Sequence, residues 1–230
     1  MTQKNKLGIA SIPAVNQYLS QAKSEGIDVA GILAANALDE AILKQNHGHI
    51  SGLQFQALIT ELLQHSNNPL FGLHSSRFVR PDSYSILGFI AVNCHTFDEA
   101  VRKIQPFEQL VGDMGVTKIS RAATTTQIQW HCQYTEPSVV RQMVDNCLSS
   151  WLAFTRTMIG PEYHPTKVLL QRSSPSLQTQ QQYQAVFNCP VLFNQTVDAL
   201  VIDNALLSVP LTHAEPTRLG SLESQAHSQL

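Results

Sequence analysis

Long apolar runs, charge and catalytic signatures are all scarce in this 230-residue chain, and each scarcity excludes something. No apolar run approaches the roughly 20 residues that a membrane-crossing helix needs. The opening MTQKNKLGIASIP has charge but no sustained apolar stretch of the kind a secretory signal carries. A cytoplasmic location with no membrane partner is therefore the expectation. Charged residues make up only 14%, with 15 Lys+Arg against 17 Asp+Glu and a net charge of −2. Nucleic-acid affinity comes chiefly from Lys and Arg neutralising phosphates, so this chain by itself is a poor binder of DNA or RNA. The four cysteines, Cys94, Cys132, Cys147 and Cys189, form no CxxC pair. They read as small buried hydrophobes, with neither a disulfide nor a metal site expected. GxSxG, the P-loop, GxGxxG and HExxH are absent. Cys94–His95 and His131–Cys132 are adjacent on paper, but neighbours in a strand point to opposite faces, so the second pair cannot meet if its segment is a strand. The composition and motifs point away from an enzyme, and no cofactor is expected.

What is present is an ordinary globular composition, 43% hydrophobic, long enough to bury a core as one large domain or two small ones. Residues 1–12 read as a flexible arm. Residues 13–75 read as a helical subdomain: Val15, Tyr18, Leu19 and Ala22 recur at helical spacing, shorter patterns follow at Val29–Asn36 and from Asp39, and Ser51-Gly-Leu-Gln54 matches a capping box before Phe55, Leu58, Ile59 and Leu62. Between Glu25 and Ser76 the only Lys or Arg is Lys44, which argues against a DNA-reading helix-turn-helix there. His47-Gly-His49 could ligate a metal in a strand, but a turn between helices is the plainer reading.

Residues 76–215 read as an α+β region, a small mainly antiparallel sheet packed with long helices. Ile86–Cys94 leans towards a helix. Thr96-Phe-Asp-Glu99 is a second capping box, and Pro106 should kink or end the helix it opens. Val116–Arg121 and Thr126–Tyr134 form an antiparallel pair. In the second strand Ile128, Trp130, Cys132 and Tyr134 alternate with polar residues, giving one packed face and one wet face. Pro137 opens a long helix whose apolar stripe, through Met143, Leu148, Trp151, Phe154 and Met158, is wide enough for a helix either central to the core or buried on two sides, one of them a subunit interface. Val191–Phe193, the turn Asn194-Gln-Thr196 and Ala199–Ile202 read as two strands with a reversal between them, followed by a helical turn capped by Asp203 or Asn204 and stopped by Pro210.

The ordered set Ile12-Pro13, Gly26-Ile27-Asp28, Pro69-Leu-Phe-Gly-Leu73, Leu87-Gly-Phe89, Thr96-Phe-Asp-Glu-Ala100, His164-Pro-Thr-Lys-Val168, Phe187-Asn-Cys-Pro-Val-Leu-Phe193 and Pro210-Leu211 resembles the N-terminal, arabinose-binding-like effector domain of AraC/XylS-type transcription regulators. The resemblance covers roughly residues 12–215. It implies a bacterial regulator whose N-terminal domain senses a small-molecule effector and forms a homodimer, while a C-terminal domain with two helix-turn-helix units binds DNA. Residues 216–230 would then be the linker towards that DNA-binding domain, which lies outside this chain. A stand-alone ligand-binding or protein-interaction module is the alternative.

The quoted motifs are scaffold and name no ligand contacts. Candidate ligand-binding residues come only from aromatic or charged character near the expected sheet and long helix: Trp130, Tyr134, Phe89 and Arg141. Each has a plainer reading, core for the aromatics and a solvated first-turn charge for Arg141. The Arg141 fork would suit a carboxylate effector.

Overall fold

The structure, a computed structural model, describes residues 7–44, 48–211 and 214–230, with the side chains of Ile42 and Pro216 outside the description. It opens with β1 (Ile9–Ser11), α1 (Ile12–Ser24), α2 (Val29–Ala35), β2 (His49–Ser51), α3 (Gly52–His65) and α4 (Phe71–Ser75). Short 3-10 turns over Ser76–Phe78 and Pro81–Tyr84 lead to α5 (Ser85–Asn93) and α6 (Phe97–Phe107). Then come β3 (Gly115–Arg121), β4 (Thr125–Cys132), α7 (Pro137–Ile159), β5 (Lys167–Leu169), α8 (Leu177–Phe187), β6 (Val191–Leu192), β7 (Ala199–Asp203) and α9 (Pro216–Gln229). The five-stranded sheet runs β3-β4-β7-β5-β6, antiparallel except for β5–β6. This is the α+β fold expected, helices first and a small mainly antiparallel sheet after them.

Local chemistry sets several boundaries. Ser51 Oγ accepts the Gln54 N–H at 3.2 Å while Gln54 Oε1 accepts the Ser51 N–H, a complete capping box. Thr96 caps α6 by accepting the Glu99 N–H, but the Glu99 carboxylate turns to the His95 N–H at 2.7 Å rather than to the cap. Pro106 lies in the last turn of α6, which continues as a 3-10 turn over Glu108–Leu110. Asp203 accepts the Ala205 N–H and caps the 3-10 turn Asn204–Ser208.

Four expectations need correction. The arm assigned to residues 1–12 contains β1, which pairs antiparallel with β2 and is held on its other side by Ser11 N–H to Val111 O and Asp113 N–H to Ile9 O. Three-residue strands carry too little periodicity to be legible, and their partners lie about 40 residues away. His49 belongs to β2, not to a turn, and His47 is outside the described residues. Among the described residues no group of three or more metal-ligating side chains gathers. The pattern from Asp39 gives only a 3-10 turn, Ile42–Lys44. The strands β6 and β7 reverse direction as expected, with β5 lying between them. Finally, residues 216–230, expected as a linker, carry the helix α9.

The long helix α7 is buried along most of its length, and one of its faces is polar. Gln142, Asp145, Asn146, Ser149 and Ser150 are all nearly inaccessible. Gln142 Oε1 accepts the Gly72 N–H at 2.7 Å and its Nε2 donates to Pro69 O at 3.0 Å. Asn146 Nδ2 donates to Ser75 Oγ and to Gln17 Oε1, and Ser150 Oγ donates to the same Gln17 oxygen. The backbone of α4 comes so close that a Cβ on Gly72 would stand 2.0 Å from Gln142 O.

On another part of α7, Asp145 forms an ion pair with Arg172 and accepts the Tyr183 hydroxyl at 2.6 Å, and the Arg172 guanidinium lies 4.8 Å from the Tyr183 ring centroid. Burial pushes the Asp145 carboxyl up, and Arg172 is the first of several groups pulling it back. Together these contacts tie α7 to α8 and to the segment after β5.

Gly72→Ala should destabilise by about 1–3 kcal/mol, because backbone on both sides must move apart; a fall in the urea midpoint at constant slope would show it. Asp145→Ala should cost about 3–5 kcal/mol by leaving Arg172 in a buried site without its anion. An unchanged urea midpoint would mean that the pair contributes nothing net.

Candidate functional site

Two adjoining chambers lie between the helices and the sheet. The first encloses about 70 Å³ and is walled by Leu87 and Ala91 of α5, Val101 and Ile104 of α6, Trp151, Phe154 and Met158 of α7, and Ile128, Leu200 and Ile202 of the sheet. The second encloses about 90 Å³ and faces Gln17 and Tyr18 of α1, Glu108, Thr117 of β3, Trp130 of β4, and Asn146, Cys147 and Ser150 of α7. Tyr84, Leu87, Ile104 and Trp151 belong to both. The chain's two tryptophans, one on β4 and one on α7, therefore both line this space. Apolar walls with a few polar groups are what small-molecule sites offer.

The polar groups are few enough to take singly. Tyr84 Oη is buried and makes no hydrogen bond of good geometry, with the Ser150 hydroxyl beside it. Burial pushes its phenol well above the ordinary range, so it stays protonated and available as a donor. Among the described residues Glu108 is the only charged side chain on either wall. Its Oε2 accepts the Thr117 N–H at 2.9 Å, and burial raises its carboxyl above the usual range. Gln17, Asn146 and Ser150 are already engaged with one another. Burial also raises the Cys147 thiol, which keeps it protonated and a poor nucleophile.

The four sequence-predicted residues separate here. Trp130 lines the second chamber, its ring lying over Gly115, where a Cβ would meet the indole at 2.2 Å. Tyr134 sits on the same strand-face register but past the end of β4, edge-on to Phe55 with centroids 6.2 Å apart and outside both linings. Phe89 is 43% exposed on α5 and reaches neither chamber. Arg141 also lies outside the linings; Asp145 stands one turn along α7, and the Arg141 charge is the last of the groups that pull its carboxyl back down. The structure thus brings one of the four to the chambers and disperses the other three.

The residues that sequence reasoning did not select are Trp151, Tyr84 and Glu108. Trp151 was visible as a stripe residue, and the stripe's second side turns out to be this space. Tyr84 and Glu108 lie in 3-10 turns or beside them, where no periodicity marks a residue as inward-facing.

The adjacent Cys–His pairs hold no catalytic dyad. Cys94 Sγ donates to Ile90 O at 3.3 Å and burial pushes its thiol up to about 12, while His95 Nδ1 lies 3.1 Å from Glu99. Cys132 is buried and His131 is exposed on the opposite face of β4.

No helix among the described residues is long and apolar enough to cross a membrane. Among curated proteins none matches the chain. Among solved structures, the crystal structure of the transcriptional regulator CdpR from Pseudomonas aeruginosa superposes with a TM-score of 0.64 at 16% identity, over 85% of this chain and 60% of that one. At that identity the likeness is one of fold, and this chain spans about three-fifths of the regulator's length. The family model for the arabinose-binding domain of AraC transcription regulators, N-terminal, matches residues 26–211, most of the chain. The chain therefore belongs to the family of N-terminal regulatory domains of AraC transcription regulators.

Proposed function

We propose that this domain is the sensing part of a transcription regulator: a small molecule enters the paired chambers, and its binding controls DNA binding by a double helix-turn-helix domain outside this chain. The observation that carries the proposal is the double chamber itself, walled by both tryptophans and holding a buried Tyr84 hydroxyl with no hydrogen bond of good geometry. A buried polar group without a partner costs stability unless something satisfies it, and a ligand is one such partner. No catalytic role is part of this proposal, and the site acts by occupancy.

The route out of the site runs through α5 and α6. Their inner faces wall the first chamber, and their outer faces carry α9. Lys103 Nζ pairs with Glu223 at 2.5 Å, Phe107 meets His227 edge-on at 5.0 Å, and Asn93 Oδ1 accepts the Glu215 N–H. Leu219 and Ala226 of α9 are buried against this surface. A ligand that binds more tightly to one spacing of α5 and α6 would bias how α9 docks, and only such a difference in affinity can transmit a signal. Residues 216–230, expected as a linker, are thus a docked helix that could still serve as the relay.

Homodimerisation belongs to the same proposal, because two copies would place two reading domains on adjacent half-sites. A light-scattering mass near that of one 25.4 kDa chain at micromolar concentration would remove it.

The family is described after a sugar, and the first chamber suits one poorly. A pentose carries a hydroxyl on nearly every carbon, and Tyr84, Thr155 and Tyr163 supply the only side-chain hydroxyls among the apolar groups there. A thermal-shift panel spanning sugars, amino acids, hydroxy acids, alcohols and acyl compounds tests the sensor reading. One class should raise stability by roughly 2.7 kcal/mol at 100 times its dissociation constant and change tryptophan fluorescence. Trp151→Ala, in a protein that still folds, should abolish both effects. A panel in which no class moves either signal would end the reading. With a binding compound in hand, amide exchange over residues 216–229 should slow or quicken on binding; a response confined to the chamber walls would remove α9 as the relay.

A further inference from the structure

From the charge of the chamber walls we infer that the ligand is an uncharged amphipathic molecule, an apolar body with one hydrogen-bonding end such as an alcohol, and that Glu108 excludes carboxylic acids. The inference deepens the sensing reading above and rests on it. The first chamber, walled by aliphatic and aromatic side chains, takes the apolar body. Where the two chambers join, the Tyr84 hydroxyl is buried and protonated and makes no hydrogen bond of good geometry, so it can donate to an oxygen at the polar end. The second chamber holds Glu108 and, among the described residues, no Lys, Arg or His on either wall.

An anion brought there would be stripped of water, find no cation, and face a carboxylate that is already held in place by the Thr117 N–H. An alcohol meets no such penalty. Arg141, the residue whose fork suits a carboxylate, lines neither chamber. Arg80 lies, with Asp82, in a surface depression that shares Gln17 and Ser83 with the second chamber, and it lines neither chamber.

Matched eight-carbon probes test the class, with 1-octanol and sodium octanoate titrated at pH 7 against the full chain by tryptophan fluorescence and melting temperature. Octanol should bind, and octanoate should bind roughly tenfold more weakly or worse. Glu108→Gln keeps an oxygen for the Thr117 N–H while removing the charge, and it should narrow that gap to about threefold or less. Octanoate binding as tightly as octanol, most clearly if Arg80→Ala abolishes it, would overturn the inference. So would a gap that Glu108→Gln leaves unchanged. If neither probe binds while another compound class moves the tryptophan signal, the ligand class is wrong and the sensing reading stands. If nothing in either panel moves it, the sensing reading fails and takes this inference with it.

Discussion

The grip of Gln142 on α4 is the constraint on which the rest of the fold depends. One side chain both accepts the Gly72 N–H and donates to Pro69 O, and Gly72 has no side chain to hold the helices apart. Burying an amide is tolerable only when its hydrogen-bonding groups are met, and here they are met by backbone that would otherwise be unpaired at the start of a five-residue helix. This contact fixes the helical subdomain against α7. Ser75, Asn146, Gln17 and Ser150 extend the same seam. Because each of these groups needs a particular partner, the seam specifies one arrangement, where an apolar interface could slide.

The same helix makes the chambers possible. α7 spends one face on the polar seam and turns Trp151, Phe154 and Met158 towards the sheet. The sheet meets it with Ile128, Leu200 and Ile202, and α5 and α6 close a further side. Positive charge is kept elsewhere. Asp145, Arg172 and Tyr183 form a compact ionic cluster beside α8, with Arg141 close enough to act on it. A site cleared of cations in this way favours ligands that need none, which is a form of selectivity by omission.

Regulation of this kind needs a wall that can move without unravelling the core. α7 is a poor candidate, since shifting it would break the seam and the ionic cluster together. α5 and α6 are better placed. They border the chamber on one side and α9 on the other, and the segment leaving β7 is pinned to the start of α6 by Phe97 N–H to Val209 O and Leu211 N–H to His95 O. A displacement at the chamber would therefore be felt where the chain departs towards its C-terminus.

Local chemistry was legible in the sequence wherever it acts over a few residues. The caps at Ser51, Thr96 and Asp203, the Pro137 start of α7, the alternation of β4 and the wide stripe of α7 all follow from side-chain types at fixed spacing, and the α+β class follows from their order. Trp130 faces the second chamber on the side that strand alternation gives it. Tertiary structure alone decided the pairing of β1 with β2, the insertion of β5 between β6 and β7, and the docking of α9, since each joins segments far apart in the chain, the strands through backbone bonds and α9 through scattered side-chain contacts, that no local pattern announces. It also decided the site. Tyr84 and Glu108 face inward because of how 3-10 turns are held by their neighbours, and Arg141 stands on α7 outside both chambers.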